Sequence, residues 1–296
     1  MKEDQNAIMT PAFWIKAWEE ARKNNPAESA MIRSSAELID YYSQFAQKFD
    51  RLYTPVKKTK RVQQVLDILQ HEGFLSSEAD VADIGCGSGN YSLPFSEICS
   101  SVTAIDGASE MCRQLKNKVE HLNLKNIEVL HKLWEEIDLN KEGMYKRYNL
   151  VFASMTEAVS DYKALEAMNR ASKENCCLVF WAGPVTNKVR TELWKKIFNS
   201  PDPGYSTTSI IYPFNLLYSL GYYPSIRFID TEWATEETAD QAVESLARFF
   251  WLYTDISPGI EEIITRYVYE NVVNGTLLQK TETTLGVVTW KVAKMA

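Results

Sequence analysis

Apolar and aromatic residues recur at helical spacing through the first part of the chain: Phe13, Trp14, Ala17, Trp18 and Ala21, then Leu38, Ile39, Tyr42, Phe45, Ala46, Phe49 and Tyr53, with Asn24-Asn25-Pro26 between the two sets. Intervals of three and four residues gather side chains on one helix face, and a proline after two asparagines interrupts a helix. The pattern predicts two amphipathic helices over residues 1–60. Such helices must dock on something; core packing of a helical extension is one reading, and an aromatic lid over a ligand is the other.

From residue 61 the period alternates. A helix over 61–72 precedes a β-branched run ending in Val81-Ala82-Asp83-Ile84, followed by a helix near 90–98, a strand at 101–105, a helix at 108–121 and a strand at 127–130. Strand-like 148–153, helical 162–171 and strand-like 177–181 come next. Strands separated by single helices form βαβ units with right-handed crossovers, which predicts an α/β fold: a doubly wound, mostly parallel sheet covered on both faces. Past Gly183-Pro184 the rhythm is less regular, with helices near 186–198, 213–220, 236–252 and 259–272, extended stretches at 225–230 and 285–292, and a turn or hairpin at Asn274-Gly275. Three regions result: a helical cap over 1–60, a core over 61–183, and residues 184–296, which wall a pocket and complete the sheet.

Composition narrows the function classes. With 45% hydrophobic and 24% charged residues the chain is of ordinary globular composition. No apolar run reaches the ~18 residues of a membrane span, and MKEDQNAIMT lacks a basic start followed by an apolar stretch, so no signal peptide is expected and the cytoplasm is the expected compartment. The net charge of −7, with nine carboxylates and a single arginine between Asp230 and Glu262, disfavours nucleic acid. The one dense basic cluster, Lys57-Lys58-Thr59-Lys60-Arg61, is read as a solvated helix face. Five scattered cysteines and three histidines form neither a disulfide framework nor a zinc pattern, so no metal is expected.

The most specific chemistry lies in Val81-Ala-Asp-Ile-Gly-Cys-Gly-Ser-Gly-Asn90, a buried strand entering a glycine loop and then a helix. In open α/β sheets, ligands bind beyond the carboxyl ends of strands. A dinucleotide fingerprint would place its third glycine at 90, which is Asn90; the sequence has Asp83 two residues before Gly85, then Gly87 and Gly89. An acid there suits an ammonium group more than a second phosphate. Seventeen residues after Gly89, Asp106 ends the next strand, placed to accept from ribose hydroxyls. Two acids with glycines between them accommodate a zwitterionic nucleoside.

VADIGCGSGNYSLPF followed by VTAIDGASEMC resembles the class I S-adenosylmethionine-dependent methyltransferases over roughly residues 60–183. The resemblance implies a Rossmann-like seven-stranded sheet with its last strand antiparallel, S-adenosylmethionine as cofactor, and a variable N-terminal cap. It places the methionine end of the cofactor at Asp83, Gly85, Cys86, Gly87 and Gly89, the ribose at Asp106 and Gly107, and adenine near Met111. Where relatives carry an acid after the third strand this chain has Leu133 and Trp134, so adenine would lie against Leu133, stack on Trp134 or use Glu135 or backbone groups. Ser154 and Thr156, after the fourth strand, are expected to contact cofactor or substrate, Ser154 on the cofactor side, with Thr156 and Glu157 the candidates for the reaction itself and helix capping the plain alternative for the hydroxyls. Tyr42 is the cap residue expected to close over the cofactor. No Asp/Asn-Pro-Pro-Tyr/Phe motif is present and no clustered acids stand for a metal. The expected activity is metal-independent transfer of a methyl group to a small-molecule acceptor, with no nucleic acid and no membrane; the oligomeric state and the acceptor have no signature. A cofactor-binding protein without turnover and a dinucleotide-dependent oxidoreductase are the alternatives. The lid reading predicts that removing residues 1–55 harms activity far more than the sheet.

Overall fold

Strand β1 (Asp80–Ile84) is the pivot of the architecture, because its hydrogen-bonded neighbours on the two sides come from different parts of the chain. The computed structural model describes residues 8–24, 31–34, 37–41, 59–201 and 209–293. One seven-stranded sheet has the order β3-β2-β1-β4-β5-β7-β6, with β2 at Ser101–Asp106, β3 at Ile127–His131, β4 at Tyr148–Ser154, β5 at Ser172–Trp181, β6 at Ser225–Thr238 and β7 at Thr276–Lys291. Strands β1 to β5 are parallel, and β7 runs antiparallel between β5 and β6. The sheet is thus doubly wound with an antiparallel last strand. Strand order reverses at β1, which opens a crevice at its carboxyl end and that of β4. Ile84 pairs with Ile105 and with Ala153, so Gly85, Asp106 and Ser154 emerge level with one another.

Successive strand residues face opposite sides, and the two faces have separate cores. Ala82, Ile84, Val151, Ala153 and Leu178 pack with helix α1 (Pro11–Lys23), α5 (Tyr162–Ala171) and α7 (Ile211–Ser219). Val81, Leu150, Phe152 and Val179 pack with α2 (Lys60–His71) and α3 (Ser92–Ser96). Helix α4 (Ser109–His121) sends Leu115 against Ala104 and Cys86. A third core joins α6 (Lys188–Phe198), α8 (Ala239–Trp251) and α9 (Pro258–Asn271) around Leu193, Leu246, Phe250 and Ile264.

Two departures from the sequence reading matter for the site. Strands β6 and β7 are much longer than the stretches at 225–230 and 285–292. Pairing of β5 with β7 ends at Trp181 and Leu285, while β6 and β7 continue as a ribbon to Thr238 and Thr276, beyond the carboxyl edge of the sheet. The ribbon is rich in threonine and glutamate, which carry little hydrophobic period; its signal was β-branching. Secondly, Asn274 and Gly275 (φ 53° and 84°) make a tight turn bridged by Val273 and Thr276, but that turn joins α9 to β7 and not two long strands.

Candidate functional site

The loop after β1 is shaped by three glycines in the left-handed region, Gly85, Gly87 and Gly89 (φ 66°, 55° and 95°), which side chains other than glycine rarely adopt. A Cβ on Gly85 would stand 2.0 Å from Thr156 Oγ1, and one on Gly107 would stand 2.5 Å from Leu133 Cδ2. Backbone thus closes on both sides of the crevice where only hydrogen fits. The loop is pinned to β2: Gly85 N and Cys86 N donate to Ile105 O at 2.8 and 3.1 Å. Asp106 accepts from Gly87 N and Ala108 N, each at 2.8 Å, so one carboxylate spans the tips of both loops and remains partly exposed.

Asp83 is 2% exposed and accepts from Ser92 Oγ at 2.5 Å. Burial pushes its carboxyl up to about 7, against the Ser92 hydrogen bond and with Asp106 raising it further. Burial also raises Asp106, opposed by the Ala108 and Gly87 N–H groups and by His131. Two acids that burial disfavours as anions, beside a glycine cradle, form a site that a cation and a diol would relieve. Cys86 is buried and its thiol raised by burial, so it lines the loop as a small apolar group.

Several sequence candidates fall beside this cradle. Leu133 lies against Gly107, and Met111 packs on Ala108 in the first turn of α4. Ser154 ends β4, and Thr156 caps the following turn by accepting from Ala158 N at 3.1 Å. Glu157 is exposed on that turn. Trp134 does not join them: its indole is 4% exposed, donates to Ala164 O at 3.1 Å and belongs to the core under α5, so stacking on a ligand is corrected to packing. Tyr42 and Phe45 lie outside the described residues. The neighbouring segment is seated on α8, where Tyr41 stacks on Trp251 and Arg33 donates to Trp251 O at 2.7 Å.

The sequence reading missed the other half of the crevice. Arg61, expected on a solvated face, turns inward: Nη1 donates to Met155 Sδ at 3.2 Å and the guanidinium lies 6.0 Å from the Trp233 ring centroid. Trp181, at the end of β5, sits 6.3 Å from Trp233 on the ribbon. Met155 itself holds φ 50°, unusual for a long side chain. The one legible hint was that Arg61 stands a residue before an apolar helical run. Among the described residues no three His, Cys, Asp or Glu side chains gather as a metal-binding group, and no helix is long and apolar enough to cross a membrane.

Comparison with known proteins agrees with this geometry. Residues 81–175 match the family described as "Methyltransferase domain". An uncharacterized protein of Haemophilus influenzae is 28% identical over 166 residues, which are 56% of this chain and 58% of that protein, so the match spans little more than half of this relative. Among solved structures, magnesium protoporphyrin IX methyltransferase from Synechocystis with bound SAH superposes with a TM-score of 0.50 at 16% identity, covering 86% of this chain and 99% of that one. A SAM-dependent methyltransferase from Aquifex aeolicus is 24% identical, covering 62% of this chain and 89% of its own, with a TM-score of 0.43. The glycine loop, both acids and the parallel core that carries them lie in or beside residues 81–175, the span that matches the methyltransferase-domain family, and the seven-stranded sheet with its antiparallel last strand has the fold of the S-adenosylmethionine-dependent methyltransferases.

Proposed function

We propose that the whole chain is a metal-independent, cytoplasmic methyltransferase that uses S-adenosylmethionine and acts on a small-molecule acceptor. The observation that carries it is the pair Asp83 and Asp106 across a glycine loop whose backbone N–H is held by Asp106 itself. Asp83 would take the ammonium group and Asp106 the ribose diol; each carboxylate oxygen of Asp106 accepts one backbone bond and can accept another. Leu133 and Met111 would border the adenine. The cofactor supplies an activated methyl group with a neutral leaving group, so the protein's part is alignment and exclusion of water. The acceptor's attacking atom would approach from the side of Ser154, Thr156 and Trp181, giving up its proton to solvent or to Glu157.

Calorimetry with S-adenosylhomocysteine and NAD tests this. The sulfur nucleoside is expected to bind and NAD not; Asp106→Ala should weaken the former by about 1.5 to 3 kcal/mol, the worth of a hydrogen bond to a charged group. Binding of NAD with no response to the sulfur nucleoside would overturn the reading.

A further inference from the structure

Resting on the methyltransferase reading, we propose that the acceptor bears a carboxylate on an aromatic body, and that Arg61 receives that carboxylate between Trp233 and the loop after β4. Arg61 Nε is buried without a hydrogen-bond partner. Among the described residues the guanidinium donates to the thioether of Met155, a weak acceptor, and makes no ion pair. A planar fork of five donors is poorly served by one sulfur and well served by two carboxylate oxygens. On the ribbon that carries Trp233, Glu232 and Glu282 both hold Lys280 at 2.8 Å. Among the described residues Arg61 is therefore a cation without a carboxylate partner at this end of the crevice.

Position decides whose carboxylate it is. Asp83 and Asp106 lie on β1 and β2, whereas Arg61 touches the loop after β4 and the ribbon of β6, across the switch point from the cofactor acids. Trp181 and Trp233 stand together on that same side, a surface for a flat apolar body next to a charge. Met155, kept in a left-handed conformation while its N–H donates to Val179 O at 2.9 Å, holds the loop that Arg61 reaches.

The test uses the full chain saturated with S-adenosylhomocysteine and two probes that differ only in charge, indole-3-acetate and indole-3-acetamide, followed by calorimetry. The acid is expected to bind at least about tenfold more tightly than the amide, the step given by ~1.4 kcal/mol. Arg61→Gln should abolish that preference while changing S-adenosylhomocysteine affinity less than about twofold, and Arg61→Lys should retain part of it. Equal binding of acid and amide, or saturable binding of neither, overturns the proposal whether or not a variant folds. A loss of S-adenosylhomocysteine affinity in Arg61→Gln would assign the arginine to the cofactor's own carboxylate and overturn it too. Failure of the unmodified chain to bind S-adenosylhomocysteine would instead remove the methyltransferase reading beneath it.

Discussion

At the scale of single residues, Asp83 carries an energetic signature that can be measured without any acceptor. Its carboxyl is raised from 3.8 to about 7 in the folded chain, chiefly by burial. Between those values the folded protein retains a proton that the unfolded chain has lost, so this group's contribution to stability is intact below pH ~4 and disappears as pH rises to ~7. The loss is about 4 kcal/mol on the scale of 1.36 kcal/mol per pH unit. Asp106, also raised, adds to the same trend. Asp83→Asn keeps an acceptor for Ser92 Oγ but cannot ionise; urea unfolding at pH 5 and pH 7.5 should show the variant gaining on the unmodified protein as pH rises. A bound ammonium group would reverse the sense for binding, because it favours the ionised acid: S-adenosylhomocysteine affinity should tighten over the same pH window in the unmodified protein and stay flat in Asp83→Asn. Equal pH slopes in the two proteins would show that Asp83 does not carry the effect.

At the scale of elements, the β6–β7 ribbon links the sheet to the helices behind the acceptor half. Asn187 makes that link: Nδ2 donates to Thr281 Oγ1 at 2.9 Å, while Oδ1 caps α6 by accepting from Arg190 N at 3.1 Å, and the residue is 4% exposed. Asn187→Ala removes a cap and strands a buried hydroxyl, so a loss of about 1 to 3 kcal/mol is expected in chemical unfolding; a change under about 0.5 kcal/mol would deny the link. This element also marks where legibility ended. Helices and strands with a clear apolar period, such as 162–171, were readable to within a residue or two, and so was the loop of Asp83, Gly85, Gly87 and Gly89, because glycine register is a local property. The polar ribbon, with its alternating threonines and glutamates, showed no hydrophobic face to read. Arg61 and Trp134 exchanged places for a related reason: a lysine-flanked arginine reads as solvated and a tryptophan after a strand as available, and only tertiary packing turned the first inward and buried the second.

At the scale of the whole molecule, helix α1 is packed into the core of the sheet. Helix α1 lies on α7, and Trp18, 2% exposed, shares a core with Ile84, Ile105, Trp134 and Trp290. This contact weighs against the expectation that removing residues 1–55 harms activity far more than the sheet, since an indole in the same cluster as the central strands cannot leave without opening the face they bury. Deleting residues 1–24 should therefore lower the melting temperature by roughly 10 °C, from a core loss of about 3 to 5 kcal/mol spread over a chain of this size. Trp18→Ala alone should reproduce most of that shift. Trp14→Ala, whose indole is only half-buried and donates to Ile8 O at 2.7 Å, should shift it less. If the truncated chain melts at the original temperature and loses only cofactor or acceptor affinity, the helix is a lid and the packing of Trp18 contributes little; if Trp18→Ala and the deletion fall together while Trp14→Ala holds, the first helix is part of the core on which the crevice is built.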